Sequence, residues 1–420
     1  MSEQWIEKPI GSYMKLLSGF PFPSSGFTTS EGFPLIRIRD ILDSSIETYF
    51  LGKFEPQYVV QRGDVLVGMD GDFHIRKWKN SEALLNRRIL KVGTLDPSEL
   101  DEGFLFYWLQ PFLQHVNDIT AATTVKHLSV KDLRSAKTKL PSAPVQAKIG
   151  NVLQTVDEAI EQTEALIEKY SLIKAGMMHD LFTRGLTADG KLRPSREEAP
   201  GLYKETPIGW IPKDWDAGEL KACVRSVQYG ISTSLTDAPT GIPVLRMNNI
   251  QENAFDVSDM KYADTLEAKA LKLSLGDVLY NRTNSMQHVG KTAIWRDELE
   301  ECSFASYLVR VNLDEKKLDR EFFTFWMSQV SSQNALRRYA TPAVQQVNIN
   351  PTNLQKIWIS RPSDLVEQTQ IVQRVDGLVK KANAEQAKLS KLKVQKSGLM
   401  HDLLTGEVPV KLDDAEAAHV

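Results

Sequence analysis

A chain of 420 residues is long enough for two or three domains, each with its own core. Its 42% apolar content is that of an ordinary globular protein, and no apolar run nears the roughly 20 residues that span a bilayer. A formal charge of −3 argues against gripping nucleic acid by bulk electrostatics alone, so any DNA-binding groups must be gathered on one face or helped by partner subunits. Met1-Ser2-Glu3-Gln4-Trp5 lacks the basic and apolar regions of a signal peptide, and a cytoplasmic protein is expected. Cys223 and Cys302 are the only cysteines, and without His-x-x-x-His or Cys-x-x-Cys spacing neither disulfides nor a metal site are expected.

Residues 1–140 alternate short β-rich runs, at 35–38, 65–67 and 89–92, with a helical stretch at 104–116, and read as a mixed α and β module. Residues 141–185 follow as one long amphipathic helix. Ile149, Leu153, Val156, Ile160, Thr163, Ile167, Tyr170, Lys174, Met177 and Leu181 step by alternate fours and threes, giving a stripe that is apolar at eight of ten sites. Pro141 and Pro144 lie before it and Gly185 stops it. Residues 186–207 are polar and rich in Gly and Pro, as a linker is. A second mixed module occupies 208–360, with strands at 278–280 and 308–311 and helix at 320–339. Residues 361–406 carry the second long helix. There Ile371, Val375, Leu378, Ala382, Glu385, Leu389, Leu392, Lys396, Leu399 and Leu403 keep the same phase, Asp364 and Glu367 stand at capping-box spacing, and Gly406 is the stop. Residues 407–420 are a tail.

The two halves repeat each other. Residues 176–183, Gly-Met-Met-His-Asp-Leu-Phe-Thr, return at 398–405 as Gly-Leu-Met-His-Asp-Leu-Leu-Thr, identical at six of eight positions. Gln146 and Ile149 match Gln368 and Ile371, Phe104 and Trp108 match Phe322 and Trp326, 63–66 and 276–279 are both Gly-Asp-Val-Leu, and Pro34 and Arg37 match Pro243 and Arg246. The offset only grows, from 209 to 222, as if one unit had been duplicated and its second copy had gained loop residues. So long a period is no solenoid. It makes an internal pseudo-dimer, and two-fold proteins suit two-part targets such as DNA half-sites. The expected fold class is α+β: two pseudo-symmetric mixed α/β modules joined by two helices, each roughly 55 Å long at 1.5 Å per residue, packed on each other along their seams.

Catalytic apparatus is missing. There is no Gly-x-Gly-x-x-Gly or Walker A loop and no Gly-x-Ser-x-Gly elbow, and no cofactor is expected. Asn350-Pro351-Thr352-Asn353 lacks the second proline and the aromatic of an adenine-methyltransferase motif and reads as the cap of a short helix or turn. His179 and His401 sit near helix C-termini, where they serve the dipole or a partner contact.

Recognition chemistry gathers instead in polar segments that recur at equivalent places. The first module offers His74, Arg76, Lys77 and Lys79 among glycines and aromatics, then Arg87 and Arg88. The second offers Asn281, Arg282, Thr283, Asn284, Gln287 and Lys291. Further along come Thr124, Lys126 and His127 in the first, and Gln345, Gln346 and Asn348 in the second. Arg, Lys, Asn and Gln can bond guanine or adenine edges in pairs, while Thr and Lys hold phosphates.

At these residues the chain resembles the specificity subunits of type I restriction-modification systems, over nearly its whole length. Residues 63–73, and 276–285 with Val289-Gly290-Lys291, look like two classes of that family's target recognition domain, residues 123–128 and 344–348 fit as well, and the long helices match its central conserved regions. The resemblance implies that residues 1–140 and 208–360 each read one half of a bipartite, asymmetric site on double-stranded DNA. It also implies that the helices pair as an antiparallel coiled coil, setting the spacing and docking two methylation subunits, and that restriction subunits complete the nuclease. The chain itself would be non-catalytic. Two other classes stay open: a self-contained methyltransferase or nuclease, against which the absent motifs argue, and a structural adaptor with two protein-binding modules, which salt-sensitive DNA binding would exclude.

Overall fold

A computed structural model of the protein describes residues 5–120, 126–343 and 346–412. The chain divides into two compact units: residues up to Ala165 together with those from Gln386 onward, and Leu166–Glu385. Each unit is mixed α and β, and each holds part of both long helices, Ala143–Thr183 and Leu365–Thr405. Among the described residues no helix is long and apolar enough to cross a membrane.

In the first unit a four-stranded antiparallel sheet runs in the order Met14–Ser18, Ile89–Thr94, Val65–Gly68, Ile75–Lys77. Leu66, Val67, Ile89 and Leu90 are all fully buried, so successive residues on both central strands are covered, and these strands read as continuous apolar runs rather than alternating ones. A smaller sheet contains the parallel pairs Leu35 with Leu84 and Ile36 with Leu85. The helix Glu102–Ile119 begins at Asp101, whose carboxylate accepts from the Phe104 N–H at 2.8 Å. It buries Phe104 and Leu109 in one cluster with Ile149, Leu153, Leu403 and Leu404, so both long helices contribute to this core.

The second unit repeats the topology. Its four-stranded sheet runs Val224–Tyr229, Leu308–Leu313, Val278–Asn281, Thr292–Ile294, and Val244 and Leu245 pair in parallel with Ser303 and Phe304. Asp319 caps Arg320–Ser328 by accepting from the Phe322 N–H. Phe322 then packs with Leu181, Phe182, Ile371 and Val375. In each module a strand near its start pairs with the strand that leads into a long helix: Ile6–Lys8 with Thr138–Leu140, and Trp215–Glu219 with Trp358–Pro362. The duplication read from the sequence is therefore also one of strand order and capping.

None of the twenty seam positions is exposed. Ile149, Leu153, Ile160, Ile371, Val375 and Leu389 are buried, and Val156, Ile167, Tyr170, Leu378, Leu392 and Leu399 half-buried. Off the seam, Leu172 and Val394 are 70% and 73% exposed, so seam phase rather than hydrophobicity decides burial. In the first unit Lys396 reaches Asp157 at 2.7 Å and Lys393 reaches Glu164 at 2.8 Å.

Two local readings need correction. Residues 186–207 are more than a linker, because Tyr203–Thr206 pairs with Gly209–Pro212 and Arg193 is buried. Glu367 does not close a capping box with Asp364, which alone caps the helix by accepting from the Val366 N–H. Its carboxylate instead accepts from Arg193, the Leu186 N–H and the Trp215 indole N–H, because a buried guanidinium needs a charged partner more than a helix end does. Asn350 caps Pro351–Gln355 as read, accepting from the Asn353 N–H.

Candidate nucleic-acid interface

Both modules build the same corner from backbone. In the first, the Met69 N–H donates to Arg88 O at 2.9 Å and the Leu128 N–H to Met69 O at 2.7 Å. In the second, the Arg282 N–H donates to Tyr307 O at 3.0 Å and the Ile349 N–H to Arg282 O at 2.8 Å. Beside these bonds Asp70 bridges His127, and Thr283 pairs with Asn348. The polar segments that the sequence offers separately are thus joined into one surface within each module. A glycine closes each corner: a Cβ on Gly19 would stand 2.0 Å from Asn86 O, and one on Gly230 would stand 2.3 Å from Ala305 O.

The first corner presents charge. His127 Nδ1 lies 2.7 Å from Asp70 Oδ1 and 3.2 Å from Arg88 Nη1. One ring nitrogen cannot donate to the carboxylate and accept from the guanidinium at once, and the shorter contact assigns the proton to Nδ1, toward Asp70. Arg88 pairs with Asp70 through Nε at 3.6 Å and is half exposed. Its φ of 73° lies in the left-handed region, a strain of roughly 1 kcal/mol or more that is typical of functional sites. Lys126 Nζ donates to the Asn117 carbonyl and side chain, and Asn117 in turn donates to Gly71 O. Arg87 is exposed at the same turn, and His74 is half-buried with Nε2 3.8 Å from Asp72.

The second corner is less charged. Arg282 Nε donates to Ser306 O at 2.8 Å, and its guanidinium lies 5.1 Å from the centre of the Tyr229 ring. Asn348 Nδ2 donates to Thr283 Oγ1, and Asn284 and Gln346 flank that pair half-buried. Lys291 Nζ is 3.4 Å from Ile250 O, and Gln287 is exposed. Beneath the corner Tyr280 donates to Ile349 O, and burial drives its hydroxyl above the usual phenol range, so it stays a donor.

The family model for the type I restriction modification DNA specificity domain matches residues 2–169 and again 212–394, one match for each half of the duplication. The chain belongs to that family. This specificity subunit is 26% identical over 413 residues to the type I restriction enzyme EcoBI specificity subunit of Escherichia coli, covering 96% of this chain and 85% of that protein. With the MjaVIII specificity subunit of Methanocaldococcus jannaschii it shares 23% over 419 residues, covering 97% and 94%. The crystal structure of a type I S subunit from M. genitalium shares its fold, with a TM-score of 0.62 at 14% identity over 98% of this chain and 97% of that one. So does a chain solved in a study of complex assembly and conformational transition of the type I system, at a TM-score of 0.51 and 16% identity over 96% and 98%.

Some sequence candidates lie elsewhere in this specificity subunit. Arg76, Lys77 and Lys79 line a groove against the first long helix, facing Asp157, Glu158 and Glu161. Lys79 pairs with Glu161 at 2.8 Å, and Lys77 lies over the Phe106 ring. Of the three, Lys79 is the one whose charge is met by the long helix, while Arg76 is exposed and donates to Ile75 O. Asn281 is fully buried and spends its side chain on Met247 O and the Thr283 N–H, so it holds the loop instead of meeting a ligand. Thr124 and Gln345 lie outside the described residues. Sequence reasoning missed Asp70, Tyr229 and Tyr307; the exposure of Tyr229 at 48% and Tyr307 at 46% is visible only once the corner is formed. His401, Asp402 and Glu407 bring possible metal ligands within 4.8 Å of one another, but on an exposed helix end where such groups need no ion.

Proposed function

We propose that this chain is the non-catalytic, sequence-reading subunit of a type I restriction-modification complex. Each module reads one half of a bipartite, asymmetric site on double-stranded DNA. One observation carries the reading: a single backbone corner is built twice, with Asp70, Arg88 and His127 in one copy and Arg282, Tyr307 and Asn348 in the other. Conserving the frame while exchanging side chains is what two readers of unrelated sequences require, since groove readout rests on side-chain donors and acceptors.

The helices 141–185 and 361–406 act as an antiparallel coiled coil that sets the spacing between recognition domains 1–140 and 208–360 and docks two methylation subunits. Restriction subunits join that core. The order of the ion pairs supports the antiparallel pairing, since the later residue Glu164 meets the earlier Lys393. The names of the relatives support the role.

The test is a methylation map of genomic DNA from a host carrying the complete system, with and without this subunit. A split, non-palindromic site that vanishes or changes with the subunit is the expected result. A perfect palindrome, or a site indifferent to the subunit, refutes the proposal.

A further inference from the structure

The two corners share their backbone, so what differs between them marks the positions that choose the base. Arg282 takes the place of Met69, because each donates its N–H to the turn residue, Tyr307 or Arg88, and accepts from the residue after the second segment. A phosphate contact would serve both half-sites alike and gives no reason for one module to hold arginine where the other holds methionine. A base contact gives that reason.

The arginine is also held before any ligand arrives. Nε is tied to Ser306 O at 2.8 Å, and the guanidinium rests by the Tyr229 ring. Both Nη groups have no partner among the described residues. A guanidinium fixed at Nε and along one face keeps two parallel N–H donors pointing away from its supports, which is the fork that matches the N7 and O6 acceptors of guanine. Tyr229 is itself fixed, because Gly230 follows it with no Cβ and lets the strand end close against 304–305, where the Ile231 N–H donates to Phe304 O at 2.9 Å.

We infer that Arg282 reads one guanine in the half-site of the second module, and that Tyr229, with the Ser306 carbonyl, is the positioning residue that aims it. This rests on the proposed function and adds to it the base type and the residue that presents the arginine. No side chain does this at the same place in the first corner, where Met69 is buried and the arginine comes from the neighbouring turn as Arg88.

The experiment uses the assembled complex and oligonucleotides carrying the mapped site or a single base change at each position. Methylation rates are compared for wild type, Arg282→Ala, Tyr229→Leu and Tyr229→Phe. Arg282→Ala is expected to lose about 5- to 150-fold discrimination at one G·C pair of one half-site, with the other half-site untouched. Tyr229→Leu should lose discrimination at that same pair by about 2- to 5-fold, and Tyr229→Phe, which keeps the ring face, should restore it. A uniform loss across all oligonucleotides for Arg282→Ala means a phosphate or structural role and overturns the inference. So does a relaxed pair that Tyr229→Leu leaves strict. In both cases the mapped bipartite site still stands, so the inference fails without the function. If exchanging the whole subunit leaves the methylated sequence unchanged, both fail.

Discussion

Gln146 and Gln368 make the same set of hydrogen bonds at equivalent points of the two long helices. Gln146 accepts from the Asp101 N–H at 3.0 Å and donates to Glu99 O and Pro141 O; Gln368 accepts from the Asp319 N–H at 2.9 Å and donates to Lys317 O and Pro362 O. Each buried amide ties three things together: the start of its long helix, the strand before it, and the cap of the module helix. A leucine at either position leaves a helix-capping N–H without its acceptor. Gln146→Leu and Gln368→Leu should each cost roughly 1–3 kcal/mol in urea unfolding. A loss within error at both sites would show that water replaces the amide.

Tyr107 ties the first module to the seam. Its hydroxyl donates to Asp157 Oδ2 at 2.8 Å, and Lys396 meets the other oxygen of that carboxylate at 2.7 Å. Burial, then the hydrogen bond and charge of Asp157, hold the phenol proton above its usual 10.0. The sign follows directly: above pH 10 the unfolded chain loses this proton while the folded one keeps it, so stability falls as pH rises. Tyr107→Phe should flatten the fall in stability between about pH 10 and 11 relative to wild type, while lowering stability at pH 7. Equal slopes for the two proteins would remove Tyr107 from the linkage.

The corner and the groove make opposite demands on two basic residues. Arg88 stands half exposed on the corner, while Lys79 faces Glu161 across a groove of mixed charge. In DNA binding by the assembled complex, Arg88→Ala should either relax one base position or reduce the slope of affinity against salt by about one. Lys79→Ala should leave both readouts as they are. Its exposed pair with Glu161 adds little stability, by roughly 0–1 kcal/mol, so the variant will fold. A changed salt slope for Lys79→Ala would put that groove back on the DNA.

The repeat and both seams were legible because helical periodicity is local: each seam residue announces itself within four positions. The corner was only half legible. Its segments could be chosen by composition, but the bridge from Asp70 to His127 joins residues 57 apart, and such pairing depends on sheet register that no window of sequence contains. The partner of Lys79 is illegible for the same reason, since Glu161 lies 82 residues away. Tyr229 and Ser306 carry no motif at all, and their part depends on where Arg282 ends up.

The proposed spacing role makes the helices a ruler, and a ruler can be lengthened. One heptad inserted after Thr163 and one after Glu385 would keep both seams in phase while adding roughly 10 Å, at 1.5 Å per residue. Along DNA at about 3.4 Å per base pair that is about three base pairs of extra spacer. The half-site sequences should stay the same, because Arg88, His127, Arg282 and Asn348 all lie outside the inserted segments. Activity should fall, since three base pairs also turn one half-site about the DNA axis, by roughly 100° at 10–10.5 base pairs per turn, and the complex must absorb that twist. The measurement is the methylation map of the variant beside that of wild type. A folded, active variant that keeps its original spacer would leave the helices a role in assembly alone.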